Sequence, residues 1–111
     1  MDFQTYQNAT DHTAIYPGAG TGSAEAINYC LISLFGEAGG AANKWKKYLR
    51  GDVAIEDILP LVVAELGDTL WYLARLSLEM GQPFELIAHD NLQKLDDRKK
   101  RGVLQGTGSN R

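Results

Sequence analysis

Hydrophobic positions along the chain recur at intervals of three and four residues, a spacing that predicts helices throughout. Phe3, Tyr6, Thr10 and Ala14 mark a first helix from about Asp2 to Ala14, ending before the helix-breaking run Tyr16-Pro17-Gly18-Ala19-Gly20-Thr21-Gly22. Ser23 is placed to cap a second helix, which carries Ile27, Leu31, Leu34, Ala38, Ala41 and Trp45 on one stripe. It extends to Arg50, where Gly51 suits the C-terminal cap. A third helix covers roughly Leu59 to Met80. Val62, Val63, Leu66, Leu70, Leu73 and Leu76 leave it little polar surface, predicting a central, well-buried position. Pro60 fits its first turn, because a proline deeper in a helix costs ~3 kcal/mol. Residues 54–58 then form a separate turn or a kinked extension. Gly81-Gln82-Pro83 stops the chain and restarts it into a fourth helix, from about Pro83 to Lys100, with Phe84, Ile87, Ala88, Leu92 and Leu95 facing inward. Gly102 closes this helix and a glycine-rich tail follows.

No strand alternation persists and no repeat of fixed period is present. The expected architecture is a single all-α domain over residues 1–111, an antiparallel four-helix bundle-like fold with short connections. The third helix is too apolar for so small a monomer to cover, which predicts a homo-oligomer, dimer or tetramer. A length of 111 residues suits one domain, and 44% hydrophobic residues exclude global disorder. No apolar run reaches the ~20 residues of a membrane span. Met1-Asp2-Phe3-Gln4 lacks the features of a secretory signal, and Cys30 is alone, so a cytoplasmic protein is expected. The formal charge of −3 argues against a surface for duplex nucleic acid but leaves room for a small polyanion at a local site.

The placement of the acids adds chemistry. Leu61, Glu65, Asp68, Tyr72 and Leu76 follow one another at helical steps, so two carboxylates share an otherwise apolar stripe. Such a pair repels, and burying an isolated carboxylate costs several kcal/mol unless a cation compensates. On the second helix Cys30, Leu34, Glu37, Ala41 and Lys44 fall along one side, again with an acid among small neighbours. Carboxylates on facing helices can hold a divalent cation, and Mg²⁺ is typically bound by a few of them plus waters and phosphates. The simpler alternative is that each acid meets a helix end, an arginine or solvent. Lys44 and Lys47 are placed to meet phosphates, although Lys46, Lys47 and Arg50 also offset the helix dipole. Asn91 and Lys94 share one face of the fourth helix, available to phosphate or sugar or simply solvated. Trp45, Trp71 and Tyr72 can stack on a base, but aromatics at helical spacing more often belong to the core. Cys30 reads as a small core residue. His12 and His89 are isolated, Arg98 to Arg101 read as a solvated helix end, and no Ser/His or Cys/His nucleophile arrangement is present.

The stretch Gly36-Glu37-Ala38-Gly39-Gly40-Ala41-Ala42-Asn43-Lys44 resembles the first motif of the MazG-like nucleotide pyrophosphohydrolases. Glu65-Leu66-Gly67-Asp68-Thr69-Leu70-Trp71-Tyr72 resembles their ExxD motif. Asn91 to Arg98, Arg101-Gly102-Val103-Leu104 and Gly106-Thr107-Gly108 resemble the C-terminal signature of one branch. The similarity spans most of the chain in the same order. It implies an all-α homo-oligomer that uses Mg²⁺ to hydrolyse nucleoside triphosphates, in ribo or deoxy form, to the monophosphate and pyrophosphate, in nucleotide-pool control. Glu37, Glu65 and Asp68 would be the catalytic metal ligands, and Asn91 and Lys94 would help hold the nucleotide; Lys44, Lys47 and Trp71 are the further substrate candidates. Two positions depart from the pattern. Gly40 stands where a second acid of an ExxE pair is expected, and Ser109 where an Asp is usual. Gly40 removes a ligand and weakens the helix by ~1 kcal/mol relative to Ala. Three carboxylates in place of four predict weaker metal binding and reduced activity. The alternatives are a member that binds nucleotide without hydrolysing it, or a helical bundle used only for association.

Overall fold

Helices account for the regular structure of residues 1–106, which the computed structural model describes, and no strand occurs among them. The tail residues Thr107, Gly108 and Ser109 lie outside the described residues. Asp2 starts helix α1, Phe3–Thr10, by accepting the Thr5 N–H at 2.7 Å. The helix stops short of Ala14, because the chain tightens into a 3₁₀ turn at Asp11–Thr13 and leaves it with Ala14 extended. Helix α2, Ala24–Leu49, begins as expected at Ser23, whose hydroxyl accepts the Ala26 N–H at 3.2 Å. It closes in a Schellman turn at Gly51 (φ +83°), with Gly51 N–H on Tyr48 O and Asp52 N–H on Lys47 O.

Helix α3 runs over Ile55–Glu79, so Pro60 lies inside it and residues 55–58 extend the helix rather than form a separate turn. The only amide lost is the one that would face Glu56 O. Glu56 is exposed, so solvent can satisfy that carbonyl and the expected proline penalty is reduced. A second Schellman turn at Gly81 leads into α4, Phe84–Lys100.

Helices α2 and α3 form the main antiparallel pair, joined by a short connection, and α1 packs against both α3 and α4. Gln7 fastens this junction. Its amide donates to Ala74 O and Gln82 O at 3.3 and 3.0 Å and its oxygen accepts the Phe84 N–H at 3.0 Å. Phe84 is buried there, edge-on to Phe3 at 5.1 Å. The core is small and lies at one end of the α2–α3 pair, where Tyr16, Ala26 and Cys30 pack with Trp71, Tyr72 and Leu76. Cys30 is fully buried, as a core residue should be.

The large apolar stripes are placed differently from expectation. The face of α2 turned to α3 is the small, polar one through Ala26, Cys30, Glu37 and Lys44, while Leu31 on the predicted stripe is exposed. On α3, Val63, Leu66, Leu70 and Leu73 are exposed as well, so its apolar length is not buried within one chain. A helix that is apolar nearly all round cannot be covered by one long neighbour, α2, and two shorter ones that touch only part of it. Helix α4 is held at its start, and Ile87, Leu92 and Leu95 face no core, with Leu92 67% exposed. The radius of gyration, 16.9 Å, exceeds the roughly 13 Å of a compact chain of this length. Arg98 departs from the solvated helix end expected for it. It is buried where the chain turns back and the Val103 N–H reaches Arg98 O.

Candidate functional site

Glu37 from the middle of α2 meets Glu65 and Asp68, one helical step apart on α3. One carboxylate oxygen from each lies within 4.8 Å of the other two. Glu37 and Glu65 are partly buried and Asp68 is exposed, so the cluster sits at the mouth of the helix pair. The Lys44 ammonium crosses from α2 to donate to Glu65 Oε1 at 2.5 Å. These contacts split the two glutamates. A hydrogen bond to Glu65, aided by burial and neighbouring negative charge, raises the pKa of Glu37. The Lys44 hydrogen bond, followed by that of Glu37, lowers the pKa of Glu65.

Position 40 faces this cluster. A Cβ on Gly40 would stand 3.3 Å from both the carboxyl carbon and Oε2 of Glu65. A side chain at this position would meet the Glu65 carboxyl group. Lys44, one turn on, reaches the same carboxyl group.

The cluster opens into a cavity of about 380 Å³ lined by Thr13, Glu37, Asp68, Trp71 and Tyr72. A second cavity, about 340 Å³, shares Thr13, Trp71 and Tyr72 and adds Ile15, Tyr16, Pro17 and Tyr29. Acid and aromatic surfaces thus adjoin. Trp71 is both a core neighbour and a wall of the two cavities, edge-on to Tyr16 at 6.2 Å and to Tyr72 at 5.0 Å.

The other candidates are not gathered here. Lys47 is exposed near the C-terminal end of α2. Asn91 and Lys94 line a separate groove of about 350 Å³ on α4 with Ile87 and Asp90, and α4 makes no contact with α2. Trp45 pairs with Tyr48 at 4.8 Å and lines neither cavity of the acid site.

The chain is 45% identical over 114 residues to the Gene 37 protein of Mycobacterium phage L5, and the match covers 100% of both chains. The chain belongs to the family of that phage protein. No protein-family model matches it, and no solved structure does.

The wall of the aromatic cavity depends on residues that the hydrophobic pattern does not single out. Arg75 and Glu79, one turn apart on α3, are buried with side-chain exposures of 2% and 0%. Glu79 accepts the Tyr16 hydroxyl and the Gly20 and Gly22 N–H groups, the latter two at 2.8 and 2.9 Å. Arg75 donates to Tyr16 Oη at 3.0 Å, to Thr10 Oγ1 at 3.1 Å and to Asp11. Burial pushes the Glu79 pKa up, but the Tyr16 and glycine donors outweigh it and the net shift is down. For Tyr16, burial and then the Glu79 bond hold the phenol well above its ordinary pKa. The network pins the 14–22 loop to the end of α3. The signal was present as an ion pair at i,i+4 in an apolar helix.

Proposed function

We propose that this protein is a Mg²⁺-dependent nucleoside triphosphate pyrophosphohydrolase, cleaving its substrate to a monophosphate and pyrophosphate. The observation that carries this reading is the convergence of Glu37, Glu65 and Asp68 from two facing helices beside an open cavity. The donor set fits a hard divalent cation: carboxylate oxygens, few in number, with solvent-filled space left for water and phosphate ligands. Glu37, Glu65 and Asp68 would hold Mg²⁺, which when bound supplies neutralisation of phosphate charge and a lowered pKa for coordinated water. A carboxylate of the cluster left free of the ion would accept the proton of the attacking water. Trp71 and Tyr72 offer aromatic surface next to the acids for a nucleobase. The resemblance of the Glu37 and Glu65 motifs to the MazG-like enzymes supports the same chemistry.

A homo-oligomer belongs to this proposal. The exposed stripe Leu59, Val63, Leu66, Leu70 and Leu73 on α3 is the surface a second copy would cover. No helix among the described residues is long and apolar enough to cross a membrane, and a cytoplasmic location suits a substrate drawn from the nucleotide pool.

A second reading, nucleotide binding without hydrolysis, is favoured by Gly40, which contributes no ligand to the cluster it faces. A panel of nucleoside and deoxynucleoside triphosphates at several Mg²⁺ concentrations separates the two. The hydrolase reading expects pyrophosphate release that disappears in Glu65→Ala. Thermal stabilisation by nucleotide with no turnover at any Mg²⁺ concentration supports binding alone, and neither effect leaves the helical bundle without this site.

A further inference from the structure

Lys44 lies one turn beyond Gly40 on α2, and its ammonium reaches across the helix pair to the outer edge of the acid cluster. It bonds Glu65 Oε1 at 2.5 Å, with side-chain exposures of 32% for the lysine and 17% for the glutamate. A Cβ at residue 40 would stand 3.3 Å from the carbon of the same carboxyl group, so Gly40 and Lys44 both face Glu65 from α2. A divalent cation liganded through Glu65 Oε1 and the Lys44 ammonium would need the same oxygen, and the two positive charges would repel at that separation. Lys44 stands on a rigid helix, but its four-carbon stem turns freely, so its charge can leave Glu65 without disturbing the helix pair.

We propose that Lys44 is a tethered counter-ion of the acid cluster, displaced from Glu65 by the divalent cation and then available to the bound anion. The inference rests on the metal-dependent reading of the cluster and adds its regulation: cation entry frees the lysine that receives the phosphate charge. One residue then opposes metal binding and favours anion binding. A residue that merely props up the site would weaken both.

Mn²⁺ titration followed by electron paramagnetic resonance, on the wild type, Lys44→Gln, Lys44→Arg and Glu65→Ala, tests this. Loss of a partly exposed ion pair should tighten Mn²⁺ binding by about three- to fivefold in Lys44→Gln. Lys44→Arg, which keeps the charge, should stay within about twofold of the wild type. At saturating Mn²⁺, inorganic pyrophosphate should bind more weakly to Lys44→Gln than to the wild type. Equal or weaker Mn²⁺ binding in Lys44→Gln, with Mn²⁺ still taken up by the wild type and lost in Glu65→Ala, overturns the counter-ion role alone. Tighter Mn²⁺ binding with unchanged pyrophosphate binding overturns the transfer to the anion. Absence of Mn²⁺ uptake by the folded wild type overturns the metal reading itself, and the counter-ion role with it.

Discussion

Replacing Gly40 with glutamate changes several quantities whose sizes can be set against one another. The helix gains about 0.5–1 kcal/mol, the amount by which glycine in a helix interior falls short of good helix formers. The new carboxylate follows Glu37 by one helical step and precedes Lys44 by another. Repulsion from the first and attraction to the second are each about 0.2–0.5 kcal/mol and nearly cancel. The steric contact is tight, with Cβ 3.3 Å from the Glu65 carboxyl, but that group is the far end of a flexible side chain and can yield. The new carboxylate also meets the Glu65 carboxylate, so without divalent ions the variant should melt below the parent, by up to about 5 °C. With Mg²⁺ the two should separate. A fourth carboxylate should raise affinity by about tenfold or more, given that even groups supporting metal ligands are worth about 10–100-fold. Tenfold corresponds to about 1.4 kcal/mol at saturating ion, or about 6–11 °C of additional Mg²⁺-dependent stabilisation. Thermal melts of both proteins over a Mg²⁺ series measure this directly, and turnover should rise in parallel. Equal Mg²⁺-dependent shifts in two folded proteins would refute the assignment of position 40 to the metal site.

Further outcomes follow from other parts of the fold. Glu79→Gln leaves at least one of the donors now on Glu79 facing an amide N–H and removes the buried partner of Arg75; the cost should be about 3 kcal/mol, or more than about 10 °C in Tm. Because the Glu79 pKa is lowered in the fold, its contribution is complete above the ordinary glutamate range and is lost as pH falls through the lowered value, so the difference between wild type and variant in urea unfolding should shrink toward pH 3. Glu37 has the opposite sign: its pKa is raised, so the folded state loses stability as pH rises from the ordinary glutamate range through the raised value. Glu37→Gln should accordingly raise Tm at pH 7 and lose that advantage near pH 4, and a lower Tm at pH 7 would contradict the strained cluster. Val63→Glu, on the exposed stripe of α3, should leave the helical content intact and turn a dimer or tetramer into a monomer by light scattering. A monomeric wild type at micromolar concentration would remove the oligomer from the account.

The site was legible where a charge interrupts an apolar stripe. Glu65 and Asp68 stand out on α3, and Glu37 on α2, because helical spacing puts each among apolar or small residues on one stripe. The same rule applied to Arg75 and Glu79, but their partners are a hydroxyl and two backbone N–H groups of the 14–22 loop, and only tertiary packing brings those to the end of α3. Lys44 was visible as a basic residue after the first motif. Its partner Glu65 was not, since that pairing depends on how α2 and α3 are staggered. Pro60 misled because a local rule assigned it to the first turn, whereas one missing amide next to an exposed carbonyl costs less than breaking α3. Burial of α3 was overestimated for a different reason. Its apolar residues lie nearly all round the helix, so periodicity cannot say which side meets α2 and which stays exposed.

The proposed function requires Glu37, Glu65 and Asp68 together to bind a divalent cation. Anomalous diffraction from crystals grown with Mn²⁺ locates such an ion without reference to activity. The account predicts one strong peak or a closely spaced pair between these three carboxylates, with Lys44 turned away from Glu65. A peak bound elsewhere, or no peak beside a cluster still closed by Lys44 at saturating Mn²⁺, would contradict it.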